Sequence, residues 1–152
     1  MANSNQNIET PDAFVRAVEA FYGIKFKYDM AGTEENKKAP TVFTEAQDSL
    51  SIDWPTDGWC WLNPPFRNVG KWVQKCLEQT RRECKIVSVW PLSGDLNQID
   101  TWKYADVTVV HGRVWPEVRG VMLCMWSSWY TGAKVYGLRW DKKSLKLEWR
   151  RW

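Results

Sequence analysis

The chain has a single histidine, His111, and its 4 cysteines include no C-x-x-C pair. Without clustered imidazoles or paired thiols, a zinc ion has no ligand set, and none is expected. Cys60, Cys84 and Cys124 lie within or beside apolar runs, and Cys76 stands apart from them. That scatter suits small buried hydrophobes under reducing conditions better than a disulfide framework. No apolar run approaches the roughly 20 residues of a membrane-spanning helix. The first seven side chains, Met1 to Asn7, offer neither the basic nor the apolar part of a signal peptide. A soluble, cytoplasmic protein with no membrane partner is expected. There is no repeat, linker or low-complexity block, so 1–152 reads as one domain with 1–9 as a loose lead-in.

Apolar residues are plentiful at 44%, enough to fill one core in 152 residues, and 12 of the aromatics are tryptophan. Most of these indoles are expected in the core, with a few on pocket walls or surfaces where they can stack. The net charge of +3 is unevenly spread: Leu138 to Trp152 carries six Lys or Arg against two acids. This basic, Trp-rich end has two readings. Lys142, Lys143, Arg150 and Arg151 can contact phosphates while the indoles stack on bases, or the segment is a solvated edge strand with tryptophan on its inner face.

Along the chain, Thr10-Pro11-Asp12 predicts a helix start with Thr10 as N-cap and Pro11 at the first position. Phe14, Val15, Val18, Phe21 and Tyr22 recur at helical spacing, and Gly23 ends the run. Ile24 to Asp29 alternates and predicts a strand leading into Met30-Ala31-Gly32-Thr33, an acidic strand end beside a glycine that invites a ligand. From Thr33 to Pro55 the pattern is weak, with a helical turn at Glu34 to Lys38 and an extended piece at Thr41 to Phe43, so loops forming a pocket wall are expected. Gly58 to Leu62 is an extended run, Val69 to Arg82 an amphipathic helix and Lys85 to Pro91 a buried strand. This β-α-β order predicts parallel pairing. A short helix near Ile99 to Tyr104 follows, then strands at Val107 to Val110 and Gly120 to Trp126. A hairpin of Lys134 to Trp140 and Ser144 to Trp149 closes the chain.

The run Asn63-Pro64-Pro65-Phe66 follows the Gly58 to Leu62 strand directly. Two prolines cannot continue a sheet ladder, so these residues form a stiff loop at the strand's carboxyl end. Two fixed φ angles hold the Asn63 side-chain oxygen and the Pro64 carbonyl in a set relation. Both are acceptors, and together they can grip an amino group that carries two hydrogens, while Phe66 offers a face for a base.

Thr10-Pro11, Asp29-Met30-Ala31-Gly32 followed by Asn36, Phe43-Thr44, Asp48-Ser49-Leu50, Asp53-Trp54 and Trp61-Leu62-Asn63-Pro64-Pro65-Phe66 resemble, in order and spacing, the phage-type DNA N6-adenine methyltransferases. The similarity runs over about residues 9 to 126. It implies an α/β, Rossmann-like methyltransferase fold, with a mostly parallel sheet and helices on both faces, and S-adenosylmethionine as methyl donor. It also implies DNA as substrate and a phage or prophage origin. By that resemblance Asn63, Pro64, Pro65 and Phe66 hold and stack the target base, and Asp29, Ala31 and Gly32 line the methionine and ribose end of the cofactor. Thr10 and Pro11 close over its carboxylate at the helix start, and Asp48 accepts a hydrogen bond from its adenine. The chemistry needs no metal and no catalytic histidine, because the sulfonium methyl is already activated. The loop motif is also found in enzymes that methylate cytosine N4 or a glutamine amide, and a non-catalytic DNA binder of the same fold stays open.

Overall fold

The structure, a computed structural model, describes residues 9–92, 99–116 and 118–149. Helix α1 spans Asp12–Tyr22 and buries Phe14, Val15 and Val18, the apolar stripe read from the sequence. Each of those side chains contributes roughly 1.5–3 kcal/mol by leaving water. Gly23 ends the helix in the left-handed region with φ 68°, and Ile24 donates its N–H back to the Glu19 carbonyl at 3.0 Å. Glu19 is buried because its carboxylate accepts the Phe26 N–H at 2.8 Å and pairs with Arg16 at 3.2 Å, fixing where α1 hands over to the sheet.

Among the described residues, eight strands form one sheet in the order β2-β1-β3-β4-β6-β5-β7-β8. In chain order they are β1 Phe26–Asp29, β2 Thr41–Val42, β3 Trp59–Leu62, β4 Lys85–Pro91, β5 Asp106–Trp115, β6 Val118–Trp126, β7 Lys134–Asp141 and β8 Lys146–Trp149. Helix α2, Val69–Thr80, joins β3 to β4, and α3, Ile99–Tyr104, precedes β5. The predicted β-α-β unit is present, with β3 and β4 parallel.

The sheet is nevertheless mixed, which corrects the expectation of a mostly parallel one. β2, β1, β3 and β4 run parallel, as do β5 and β7, but β6 is antiparallel to both β4 and β5, and β8 to β7. The cause is local. Only two residues separate β5 from β6, and so short a connection can make only a hairpin. β6 then fills the slot between β4 and β5.

Side chains alternate across the sheet as a pleat requires. Cys60, Leu62, Ile86, Trp90, Val107, Met122 and Trp126 pack under α2 on one face. Trp61, Val87, Val89, Val110, Leu123 and Trp140 pack against Phe14, Val15 and Val18 of α1 on the other. Helices therefore cover both faces. Seven tryptophans, at 54, 61, 72, 90, 115, 126 and 140, are buried, so the core reading holds for most of them. All four cysteines are buried and unbridged. No helix among the described residues is long and apolar enough to cross a membrane.

Candidate active site

Asp29 ends β1 and Asn63 follows β3, its neighbour in the sheet, so the two sit side by side at the carboxyl ends of parallel strands. Ligands of open α/β sheets bind at such ends. The backbone continues past β1: Met30 donates to the Trp61 carbonyl at 2.9 Å, and Phe43 to the Asp29 carbonyl at 2.8 Å. These bonds fold residues 30–44 back over the strand ends. The result is a cavity of about 600 Å³, inside the usual range of roughly 300–1,000 Å³ for small-molecule sites.

Asp29 is the anchor of this cavity. Its carboxylate is buried and accepts the Lys38 N–H at 3.0 Å and the Ala31 N–H at 3.2 Å. Burial pushes its pKa above the ordinary value of 3.8, against the amides of Lys38 and Ala31 and the Lys38 charge. Gly32 is required by contact: a Cβ there would lie 2.6 Å from Asp29 Oδ2 and 3.0 Å from Val42 Cγ2. The glycine lets the loop lie directly on the carboxylate.

The helix start departs from the sequence reading by one position. Pro11 takes the cap place, its carbonyl accepting from Phe14 at 3.0 Å, and the helix begins at Asp12. Thr10 does not cap, because its hydroxyl oxygen accepts a hydrogen bond from Asn63 Nδ2 at 2.8 Å. Thr10 is buried there, and the α1 entry is thereby joined to the Asn63 loop.

Of the residues singled out in the sequence, Thr10, Asp29, Ala31, Gly32, Asp48, Asn63 and Pro65 line the cavity. Asp48 is exposed on its rim, with φ 49° between two 3-10 turns. Pro11, Pro64 and Phe66 are not on the wall. Pro64 is buried behind the loop, and Phe66 is half-buried, set edge-on to Trp115 with ring centroids 5.1 Å apart. Lys142 and Lys143 lie exposed in the β7–β8 turn, at the same edge of the sheet as Asn63 but four strands away. Arg150 and Arg151 lie outside the described residues. Trp149, 62% exposed, sets its ring toward Phe21 of α1 with centroids 6.4 Å apart.

Several residues escaped sequence reasoning. Lys38, in a polar stretch without periodicity, is buried, with Nζ at 2.7 Å from Asp12 and 3.0 Å from Glu9. Burial works against its charge, but the hydrogen bonds to Asp12 and Glu9 outweigh it and hold the pKa above the usual lysine value. Its N–H, bound to Asp29, couples the helix start to the acidic loop. Phe43, Trp61 and Trp72 give the cavity aromatic surface, and Arg67 stands at its margin. Trp115 carries no local signal, because its partner Phe66 is distant in sequence.

Among the described residues the lining holds six carboxylates, Glu9, Asp29, Glu34, Glu35, Glu45 and Asp48, against two cations, Lys38 and Arg67. Lys38 is already paired. Such a cavity favours a ligand with surplus positive charge and a flat ring.

The family model for DNA N-6-adenine-methyltransferase (Dam) matches residues 2–107. The chain belongs to this family. The DNA N-6-adenine-methyltransferase of Haemophilus phage HP1 (strain HP1c1) is 32% identical over 71 residues, which is 47% of this chain and 40% of that protein. The enzyme of the same name from Escherichia phage T1 is 30% identical over 82 residues, 54% of this chain and 34% of that protein. The matched stretches thus span well under two thirds of the length of those curated relatives. Within this Dam-family chain the matched residues 2–107 include Thr10, Asp29, Gly32, Asp48 and Asn63, and leave β6 to β8 beyond the match.

Proposed function

We propose that this Dam-family protein transfers a methyl group from S-adenosylmethionine to N6 of adenine in DNA, in the cytoplasm of a phage host. The observation that carries the reading is the convergence of Asp29 and Asn63, from adjacent strand ends, on one acidic, partly aromatic cavity, with Asn63 held by Thr10.

The residues fit the cofactor. S-adenosylmethionine carries a sulfonium and an ammonium against one carboxylate, which matches a lining of six carboxylates. Asp29, already oriented by two backbone amides, is an acceptor for ribose or ammonium hydrogens, and Gly32 keeps the approach to it open. Asp48 on the rim is the acceptor for the adenine amino group, and Phe43 is a surface for its ring. When bound, the cofactor supplies an electrophilic methyl group whose bond to sulfur breaks as the bond to nitrogen forms.

The protein's part is positioning. With Nδ2 given to Thr10, the Asn63 amide has one orientation, and its Oδ1 is the atom that accepts a hydrogen from the target amino group. A second acceptor is the Pro64 carbonyl, held by two consecutive fixed φ angles. Together they aim the nitrogen lone pair and stabilise the positive charge that grows on it, and the displaced proton leaves to water. Phe66, backed by Trp115, is the ring for an extruded base.

The decisive test is mass spectrometry of nucleosides from DNA incubated with the protein and methyl-labelled S-adenosylmethionine. Labelled 6-methyladenine is expected. Labelled 4-methylcytosine instead would move the target to cytosine, and no labelled base at all would overturn the transferase reading.

A further inference from the structure

A second groove of about 600 Å³ runs along most of α2, lined by Arg67, Asn68, Lys71, Gln74, Lys75 and Glu78 among others. Arg67 belongs to both walls, so this groove adjoins the acidic cavity there. We propose that Arg67 and Lys71 form a phosphate-binding ledge that seats the DNA backbone beside the cavity, an inference that rests on the reading that DNA is the substrate.

The charges in the groove sort themselves. Lys75 is buried and pairs with Glu78 at 3.1 Å, so its cation is spent within the protein. Arg67 and Lys71 are exposed, and among the described residues no carboxylate forms an ion pair with either. Arg67 lies in the 3-10 turn before α2 and Lys71 in the first turn of α2, so the two cations flank the helix start on the groove that both line. The positive end of the helix dipole adds to both, since α2 starts at Val69 and neither residue of the pair is beyond its first turn.

The contrast with the neighbouring cavity gives the ledge its sense. Six carboxylates inside repel a phosphate, whereas Arg67 on the shared wall and Lys71 beyond it attract one. A nucleotide arriving here is sorted by charge, with its backbone held on α2 and only its uncharged base able to enter beside Asn63. Arg67 follows Phe66 directly, so the phosphate-binding group and the stacking ring are adjacent in one 3-10 turn.

The ledge is tested by fluorescence anisotropy of a labelled DNA duplex, titrated with protein over a range of salt concentrations. Arg67→Gln and Lys71→Gln should each weaken binding and lower the slope of log K against log salt by about 0.9, the value for one phosphate left without its cation. Lys71→Arg should restore the slope. Calorimetry should find S-adenosylmethionine affinity unchanged in Lys71→Gln, and a melting temperature like that of the wild type will verify the fold of each variant. Slopes and affinities unchanged in both Gln variants would overturn the ledge, as would a wild-type protein that binds no duplex. The two proposals fail separately. Methylation with a slope indifferent to Arg67 and Lys71 leaves the transferase standing without the ledge, and ledge-dependent binding without methylated base leaves the ledge without the transferase.

Discussion

Asn63 donates from Nδ2 to the Thr10 hydroxyl oxygen at 2.8 Å, across 53 positions of sequence. The Asn63 amide is thus oriented by a residue at the entry to the first helix. Asn63→Ala should leave fold and cofactor affinity nearly intact and slow methyl transfer by on the order of 10²-fold, about 3 kcal/mol. Thr10→Val should lower transfer in the same sense by freeing the amide to rotate, and Thr10→Ser should recover it. Single-turnover transfer of labelled methyl, alongside cofactor titration, separates these effects. Wild-type transfer by Asn63→Ala would reduce the loop to a proline turn.

Gly32→Ala forces a methyl group to 2.6 Å from Asp29 Oδ2. Overpacking of this kind costs about 1–3 kcal/mol, and here it displaces the carboxylate. Calorimetry should find cofactor affinity reduced about tenfold or more, together with a lower melting temperature. Gly120→Ala is the control, since the atoms its Cβ would meet lie at ordinary contact distances, 3.6 Å and beyond. An unchanged affinity in Gly32→Ala would mean that the carboxylate is not part of the cofactor site.

Asp29 also sets an expected pH dependence. Burial raises its pKa above 3.8, so on acidification it takes up a proton before an ordinary aspartate does and loses an acceptor. Cofactor affinity should therefore begin to fall at a pH above the usual aspartate range, and Asp29→Asn should remove that inflection. For stability the sign is opposite. A carboxyl whose folded pKa exceeds its unfolded one favours the folded state most at low pH, and that contribution is lost as pH rises through the folded value. Titration calorimetry and thermal melts across the acid range read the two effects independently.

Trp115 supports Phe66 through an edge-on packing of the two rings and is 1% exposed. Trp115→Ala should cost about 3–5 kcal/mol of stability. Trp115→Phe, which keeps a ring in place, should stay folded and bind cofactor normally while weakening DNA capture. Phe66→Ala should weaken base capture by roughly 1–3 kcal/mol, and Phe66→Tyr should be tolerated. The readout is KM for DNA against cofactor affinity. A change in cofactor affinity alone would assign these rings to the wrong pocket.

The basic end of the chain is tested by charge removal. Arg150→Gln and Arg151→Gln, and likewise Lys142→Gln and Lys143→Gln, should weaken DNA binding across all sequences and lower the salt slope by about 0.9 for each phosphate that is no longer neutralised. A slope that does not move would make β8 a structural edge, a role that the packing of Trp149 toward Phe21 already serves.

Much of this was legible because it is local. The helix from Asp12 to Tyr22 shows its period, Gly23 its stop, and Lys85 to Pro91 its continuous apolar run, and each appears where the pattern puts it. The Asp29 and Asn63 loops were legible for the same reason, since an acidic strand end and two prolines impose their conformations on a few residues. The mixed sheet was hidden by tertiary pairing. The strand read as Val107 to Val110 continues to Trp115 through His111-Gly112-Arg113, a polar interval that masks the hairpin with β6. Lys38, Arg67 and Trp115 gain their meaning from Asp29, the α2 groove and Phe66, partners that no periodicity announces.

The four unbridged cysteines give the protein a property separate from its chemistry. Burial pushes the Cys60 thiol to about 12, and raises those of Cys76, Cys84 and Cys124 as well. Thiolate is the reactive form, so an alkylating reagent at neutral pH reaches these sulfurs only in molecules that have transiently opened. Cys60 sits on β3 immediately before the Asn63 loop and Cys124 on the inserted strand β6. Their alkylation rates are built-in clocks for the separation of those two strands, and a clock on β3 that slows when cofactor is added while the one on β6 keeps time would locate the rigidifying effect of the ligand without any introduced probe.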